Sequence, residues 1–271
     1  MDEKPLNSWS EFENEINNLE LFRKEKSEKT QAPVAQLFFR GQSNSCWKLE
    51  TTWERHCGDK TKLYDYYNLM LSVKDEIEAK IGRKWDVPTL PKYKDWLETY
   101  KSVGGGNGFP GYEYMSYLRH YGFPSPLLDL SKSPYVAAYF AFRNLDAKVE
   151  KVAIYAYMEH TGAEGGWVAS QNIITYDKEV DSHKRHLLQQ SCYSICTAGE
   201  KEDAYYCCHE DMFSRGSKRQ DFLWKFTLPI NEQRYIVQKL ESQKITAYSL
   251  FGSEESLMET EFLREFFLKQ T

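Results

Sequence analysis

Apolar residues spaced three and four positions apart predict the helices of this chain. From Trp9 to Phe22 these apolar residues fall on one side of a helix, and Ser8 or Ser10 can act as its N-cap. The same spacing predicts further helices at residues 64–81, 92–100, 112–121, 232–241 and 253–268. Ser253 is the expected N-cap of the last helix, whose first turn carries acidic residues.

Short runs rich in β-branched and aromatic residues predict the strands. They cover residues 34–39, 151–158, 168–176, 222–228 and 244–249. The first run ends at Arg40, and residues 183–196 hold a basic group, two glutamines and a β-prone run. Helices and strands alternate without a repeat or a low-complexity linker. We therefore expect one α+β domain, with a mixed, mostly antiparallel sheet and surrounding helices.

Residues 120–142 hold the most unusual residue choices in the chain. The Pro-Ser-Pro sequence at residues 124–126 predicts a rigid turn that presents its serine and the following Asp129 towards a cleft. Asp129 stands in an apolar step, where a lone carboxylate is costly to bury. A lone guanidinium is also costly to bury, and Arg40 stands at the end of a predicted buried strand. Since the two charges are tolerable together, we expect these side chains to interact.

A helix that is apolar on nearly every side follows this turn. It is entered at Ser133 and Pro134, runs to about residue 144, and has Ser131 as the expected cap. Such a helix is typical of a domain centre, because it has no polar face to show to water. The polar turn thus leads into a core helix.

Composition narrows the function classes. The 271 residues are 41% apolar and 15% aromatic, enough for a substantial core. A net charge of -5 gives no overall reason for nucleic-acid or membrane binding, although local basic patches leave nucleic acid open. Because the chain shows neither a membrane-span run nor a signal-peptide core, we expect a cytoplasmic protein.

The six cysteines indicate free thiols. Their irregular spacing, with an adjacent pair at Cys207 and Cys208, favours a reducing compartment over a disulfide framework. The nearby His209 invites a zinc interpretation, but the paired C-x2-C pattern of structural zinc sites is missing from the sequence. We therefore expect no metal.

The order and spacing of several short blocks resemble the FRG-domain family. The blocks are Phe39-Arg40-Gly41-Gln42, Trp47 with Leu49, His120 to Pro124, Leu127-Leu128-Asp129, Ser133-Pro134, Ala138 to Ala141, Arg185 with Gln189, and Ile245 to Phe251. They span residues 36–260, which gives an FRG-like α+β domain over residues 36–271 after an N-terminal helix and connecting segment at residues 1–35. The chain departs from the family pattern at Pro126, where the family has an arginine.

A second likeness is to ADP-ribosyltransferase folds. The shared layout is an arginine-glycine pair at the end of an early strand, a serine segment leading to a Tyr-Phe-Ala step, and a Glu or Gln at a later strand. Breaking the nicotinamide–ribose bond of NAD passes through an oxocarbenium-like state, so such an enzyme grips the diphosphate and places a polar group beside the ribose. The resemblance implies NAD as a substrate, and a macromolecule as an acceptor.

This resemblance assigns roles to particular residues. The candidates for catalysis are Arg40, His120, Asp129, Gln189 and Glu255, with Gln190 an alternative at the ribose. The candidates for NAD binding are Arg40, Gln42, Ser131, Ser133, Tyr139 and Arg185. Glutamine lacks the negative charge of a catalytic glutamate, and Glu255 also fits the first-turn acid of a helix.

Three hypotheses remain open. The first is an NAD-consuming ADP-ribosyltransferase or NAD glycohydrolase, such as a bacterial or phage-conflict effector. The second is a non-catalytic module that binds nucleotides or nucleic acid. The third is a protein-interaction domain with a buried Arg/His/Asp network. Convergence of Arg40, His120, Asp129 and Arg185 on an open cleft would favour a ligand site, and separate closed pairs would favour the network.

Overall fold

The structure is a computed structural model that describes residues 1–30, 35–58, 60–100, 108–143, 148–158, 172–176, 184–213 and 222–269. Its strands are β1 (Asp2–Pro5), β2 (Leu37–Gln42), β3 (Leu128–Ser131), β4 (Lys151–Met158), β5 (Asn172–Tyr176), β6 (Ser191–Ala198), β7 (Tyr205–Tyr206) and β8 (Phe222–Pro229). Its first helices are α1 (Trp9–Thr30), α2 (Thr52–Cys57), α3 (Leu63–Ser72), α4 (Lys74–Ile81), α5 (Leu90–Thr99) and α6 (Tyr112–His120). The later helices are α7 (Pro134–Phe142), α8 (Lys184–Leu188), α9 (His209–Phe213), α10 (Gln233–Ser242), α11 (Ala247–Phe251) and α12 (Glu254–Phe262), which continues as a π-helical turn over Leu263–Leu268.

One mixed sheet organises these elements. Its described strands run in the order β1-β8-β4-β2-β3-β6-β5, and β7 pairs with β6 beside this path. Among the described strands, β1 and β8 pair in parallel, whereas the other neighbours are antiparallel. The α+β class, with a mixed and mostly antiparallel sheet, is confirmed.

Helix α7 lies at the centre of the larger core, as expected from its apolar sequence. It packs on β2, and residues of α1, α10 and α11 belong to the same core. Its residues Val136 to Ala138 are buried. The contact with β2 is close enough to require glycine: a Cβ added at Gly41 would lie 1.8 Å from the Ala137 carbonyl oxygen. Gly41 therefore fixes the position of α7 against the strand that carries Arg40.

A second, aromatic core joins helices α2 to α6 to β6. The rings of Tyr67 and Tyr93 stack at 3.5 Å between centroids, and Tyr193 and Ile195 of β6 are buried in the same cluster. A smaller third cluster includes Phe38, Leu128, Leu130, Tyr155 and Cys192. Since Tyr193 alternates along β6 with Cys192, the second and third clusters lie on opposite faces of that strand.

Several expectations were wrong in detail. Residues 64–81 form two helices, α3 and α4, which meet at Val73. Residues 244–249 are not a strand, because Thr246 and Ser249 form a capping box that starts α11. Strand β5 begins at Asn172, and the earlier part of the strand predicted from residue 168 lies outside the described residues.

The elements around the central turn also differ from the expectation. Residues 128–131 form a strand, β3, so Ser131 is a strand residue and does not cap α7. The cap is Ser133, whose hydroxyl accepts a hydrogen bond from the Val136 amide at 3.3 Å. Arg40 lies inside β2, which continues to Gln42. The N-terminal strand β1 was not predicted.

Candidate functional site

Arg40 and Asp129 meet where β2 and β3 separate. Among the described residues, these strands share one register pair, Phe39 with Ser131. Beyond it, Nη1 of Arg40 donates to the Asp129 carbonyl oxygen at 2.8 Å and lies 3.6 Å from carboxylate Oδ2. The predicted proximity of the two residues is confirmed. The guanidinium thus bridges the gap that the strand ladder leaves.

A second arginine shares the same carboxylate. Arg119, in the last turn of α6, donates from Nη2 to Oδ2 of Asp129. The Arg40 side chain is 15% exposed and the Asp129 side chain 38%, so the carboxylate is the more accessible partner. Two guanidinium groups on one carboxylate leave a local excess of positive charge. Arg119 was not predicted as a site residue.

The environment of Arg40 is consistent with this excess. Burial lowers the pKa of Arg40 to about 10, Asp129 raises that pKa, and the nearby charges of Arg119 and Arg55 lower it further. Arg40 therefore stays charged at neutral pH, although burial disfavours its charged form. Among the described residues, the buried Nε atoms of Arg40 and Arg119 have no hydrogen-bond partner. The cluster thus has donor capacity that Asp129 does not use.

The turn at residues 124–126 is fixed by hydrogen bonds to α2 and α3. The Thr52 hydroxyl accepts from the Ser125 amide at 3.0 Å, and the Tyr66 hydroxyl donates to the Pro124 carbonyl at 3.1 Å. The Ser125 side chain is fully buried, and it accepts a hydrogen bond from the Leu127 amide at 3.2 Å. The expectation that this serine faces a cleft was wrong, because its hydroxyl closes the turn itself.

A polar seam continues from Asp129 along β3. Ser131 lies two residues further on the same face of the strand. Its hydroxyl donates to the Gln189 carbonyl at 2.8 Å and accepts from the Ser133 amide at 3.1 Å. Nε2 of Gln189 donates to the Leu250 carbonyl at 3.1 Å. Nε of Arg185 donates to the neighbouring carbonyl of residue 251 at 3.3 Å. Four predicted residues (Ser131, Ser133, Gln189 and Arg185) therefore lie together, beside α11.

Other predicted residues lie apart from this seam. Gln42 is buried and donates from Nε2 to the Lys48 carbonyl at 3.0 Å. His120 is half-buried at the end of α6, directly after Arg119, with its ring 5.5 Å from the Tyr121 ring. Glu255 is exposed in the first turn of α12, where a hydrogen bond from Ser253 lowers its pKa, as the charge of Arg185 does to a lesser degree.

Tyr139 belongs to a different cluster. Its hydroxyl donates to Oε1 of Glu259 at 3.2 Å, and Arg143 binds both oxygens of the same carboxylate, with Nε at 2.7 Å. The hydrogen bond between Arg143 and Glu259 raises the pKa of the arginine and lowers that of the acid. These groups line a cavity of about 290 Å³ between α7, α10 and α12. Arg143 and Glu259 were not predicted from the sequence.

A buried histidine lies within reach of the charge of Arg40. Nε2 of His209 is 2.9 Å from the Ser194 hydroxyl. Burial lowers the pKa of His209 to about 3, and the positive charge of Arg40 adds to this effect. His209 is therefore neutral at physiological pH, when its imidazole bonds Ser194 without carrying charge.

Within the described ranges, no group of three or more His, Cys, Asp or Glu side chains is arranged to hold a metal ion. None of the helices in the same ranges is both long and apolar enough to cross a bilayer.

Comparison with known proteins adds one finding. Residues 35–150 match the family model of the FRG domain. The FRG-domain resemblance is confirmed over these residues, which contain Arg40, Arg119 and Asp129 but end before Arg185 and Gln189. No curated protein and no solved structure matches the chain.

Proposed function

We propose, taking the FRG-domain match as the premise, that this chain binds NAD at the cluster of Arg40, Arg119 and Asp129. In this proposal it cleaves the nicotinamide–ribose bond, as an ADP-ribosyltransferase or an NAD glycohydrolase. The observation that carries the proposal is the sharing of one partly exposed carboxylate by two guanidinium groups. A diphosphate is an anion that such a pair can grip, because each planar guanidinium offers several donors at once.

The order of the strands supports the same assignment. Arg40 lies on β2, Ser131 on the neighbouring β3, and Gln189 just before β6, which pairs with β3. Two positions of the arginine, serine and glutamine layout therefore fall on neighbouring strands, and the third falls directly before the next strand of the sheet. In the proposal the arginines hold the diphosphate, and Ser131 lies on the ribose side.

The charge beside the ribose would come from Asp129 rather than from Gln189. An oxocarbenium-like state is stabilised by a nearby negative group, which an amide cannot supply. Asp129 precedes Ser131 by two residues on one face of β3, so it can offer a carboxylate on the side where the serine lies. This role gives Asp129 two tasks, orienting the arginines and facing the developing positive charge.

A non-catalytic nucleotide-binding module is the second candidate. The observation that favours it is the use of Gln189 as a structural link: its carbonyl accepts from Ser131 and its amide donates to the Leu250 carbonyl. Gln189 thus uses its backbone carbonyl and its side-chain amide to hold α11 against β3. The binding site would then be formed without a dedicated group for turnover.

One experiment separates the two candidates. The protein is incubated with NAD, free nicotinamide is measured by chromatography, and NAD binding is measured by calorimetry. Nicotinamide release that falls in Arg40→Lys and persists in the control Arg143→Lys supports the enzyme. Binding without release supports the binding module. Failure of wild type to bind NAD contradicts the enzyme and excludes NAD as the ligand of the binding module.

A further inference from the structure

Two buried thiols face each other between β6 and the segment that follows β7. The antiparallel register of these strands pairs Thr197 with Tyr206. One step further along, Cys196 lies opposite Cys207, and the Cys207 amide donates to the Cys196 carbonyl at 3.1 Å. Residues directly opposite each other on two strands point to the same face of the sheet. The two sulfur atoms accordingly lie 3.4 Å apart.

The geometry of this pair matches the requirements of a disulfide bond. Both residues are free cysteines. A disulfide needs Cα atoms roughly 4.4 to 6.8 Å apart, and hydrogen-bonded residues that face each other in an antiparallel ladder have Cα atoms about 5.5 Å apart. To form the bond, the sulfur atoms must close from 3.4 Å to about 2.05 Å. Rotation of the two side chains covers this change without a movement of the strands.

The neighbouring cysteines are placed differently. Cys192 lies four positions before Cys196 on β6, which at about 3.3 Å per residue separates their Cα atoms by roughly 13 Å. Cys208 is adjacent to Cys207, but its sulfur donates to the Leu49 carbonyl at 3.5 Å. The contact at 3.4 Å therefore selects one partner for Cys196.

We propose that Cys196 and Cys207 form an oxidation site, at which hydrogen peroxide converts the two thiols into a disulfide. In the first step the Cys207 sulfur attacks one peroxide oxygen, the O–O bond breaks, and the departing hydroxide takes the thiol proton as water. In the second step the Cys196 sulfur attacks the resulting sulfenic sulfur, the S–O bond breaks, and the hydroxyl group leaves as water with the Cys196 proton. The two cysteines together lose the two electrons that the peroxide gains.

Burial sets the order of the two steps and their speed. Cys207 is 9% exposed and Cys196 only 1%, so peroxide reaches Cys207 first. Burial raises the pKa of the Cys196 thiol, and its hydrogen bond with Cys207 raises that pKa further, so Cys196 keeps its proton until Cys207 is oxidised. We expect slower oxidation than at an exposed thiol. Once the sulfenic acid has formed, the second thiol is already in contact, which favours the disulfide over further oxidation.

The disulfide would fasten the segment between β7 and α9 to β6. This segment leads into His209, whose Nε2 lies 2.9 Å from the Ser194 hydroxyl of β6. A bond between Cys196 and Cys207 closes a short loop, which restricts the unfolded chain more than the folded one. We expect the melting temperature of the oxidised protein to be roughly 5 to 10 °C higher than that of the reduced protein.

Thiol counting after peroxide treatment tests the proposal. The full chain with Cys46→Ser and Cys57→Ser serves as the background, because these two cysteines are exposed and would react in competition. The protein is treated with hydrogen peroxide while folded, then unfolded and alkylated. Two of its thiols should escape alkylation, and a dithiol reductant should restore them. Trypsin cleaves at Lys201, between the two cysteines, so mass spectrometry should find their peptides linked.

Alanine variants in the same background identify the bonded pair. Cys207→Ala should abolish both the link and the rise in melting temperature. Cys192→Ala is the matched control, since Cys192 is a buried cysteine on β6, and it should leave both unchanged. Melting curves of the reduced variants confirm that they fold, and the peptide map of the background protein does not depend on them.

Three results would overturn the proposal. The first is a background protein whose thiols all remain free after peroxide treatment. The second is a link through Cys192 or Cys208, identified by fragmentation of the linked peptides. The third is a sulfinic acid on Cys207 in place of the link, because it would mean that Cys196 does not reach the sulfenic sulfur.

Discussion

Two half-buried arginine clusters differ in how many guanidinium groups share each carboxylate. Among the described residues, Glu259 is matched by Arg143 alone, which binds both of its oxygens, and the Tyr139 hydroxyl completes the group. Asp129 is shared between Arg40 and Arg119. A one-to-one pair neutralises itself and serves packing, whereas a two-to-one cluster keeps positive charge that a ligand can use.

The difference also concerns what each cluster is built on. The Arg143 and Glu259 pair joins two helices beside a largely apolar cavity. The Asp129 cluster spans a place where two neighbouring strands separate, next to a turn that is fixed by hydrogen bonds. Backbone rigidity favours a site that must hold its groups in fixed positions, because small displacements cost a large part of the binding energy.

Removing the carboxylate should give the largest difference in stability between the two clusters. Asp129→Asn leaves two guanidiniums without their counter-charge, and we expect a loss of about 3 kcal/mol in the free energy of unfolding. Glu259→Gln leaves one half-buried arginine, and the loss should be about 1 kcal/mol. Urea denaturation of both variants measures the difference. Equal losses would show that the clusters are equivalent.

Lowering the pH should destabilise the protein through protonation of His209. The pKa of His209 in the folded state is about 3, below the ordinary value of 6.5. At pH values between these two, the unfolded state therefore binds a proton that the folded state does not bind. Stability from this residue is full above pH 6.5 and falls as the pH drops towards 3. Between pH 6.5 and 4.5 the loss should be about 2 kcal/mol.

His209→Gln provides the control for this effect, because it removes the titration and keeps a side chain that can bond Ser194. Chemical denaturation at several pH values should give a shallower acid dependence in the variant. The same slope in both proteins would mean that His209 is not held neutral by burial and by the charge of Arg40.

Lysine substitution should distinguish a gripping arginine from a merely paired one. Arg40→Lys keeps the charge but loses the planar fork, so NAD affinity should fall about tenfold, or about 1.4 kcal/mol. Arg143→Lys should leave NAD affinity unchanged. Calorimetry on both variants, with melting curves to normalise for folded protein, makes the comparison. Equal affinities in Arg40→Lys and wild type would mean that Arg40 only pairs with Asp129.

The proline turn should contribute least. Replacing Pro124 and Pro126 by alanine returns entropy to the unfolded chain and should cost about 1 kcal/mol of stability. NAD binding per folded molecule should fall further, because the turn sets the position of β3. A thermal melt and a binding titration on the double variant suffice. Unchanged affinity would show that the turn is only scaffold.

The fold was predictable where the signal was local and strong. Helix α7 is apolar on nearly every side, and β4 is a continuous apolar run, so both were placed correctly. Ser253 caps α12 as its position predicted. Strand β1 was missed because Asp2 to Pro5 are exposed and show no alternation, and its conformation depends on pairing with β8.

The site was predictable only in part, because its key contact joins distant segments. The need for a partner at Asp129 followed from its apolar neighbours, and Arg40 was the right choice. Arg119 was missed because a basic residue in the last turn of a helix already has an explanation in the helix dipole. Arg143 and Glu259 gave no signal either, because the two residues are 116 positions apart in the sequence.

We propose that the unbalanced arginine cluster is the nucleotide site. Calorimetric titration of NAD into wild type, Arg119→Gln and the matched Arg143→Gln tests it most directly, because Arg119→Gln leaves Asp129 with Arg40 as its partner. We expect binding by wild type, at least tenfold weaker binding by Arg119→Gln, and wild-type affinity in Arg143→Gln. No binding by wild type at millimolar NAD, or equal affinities in all three proteins, would contradict the claim.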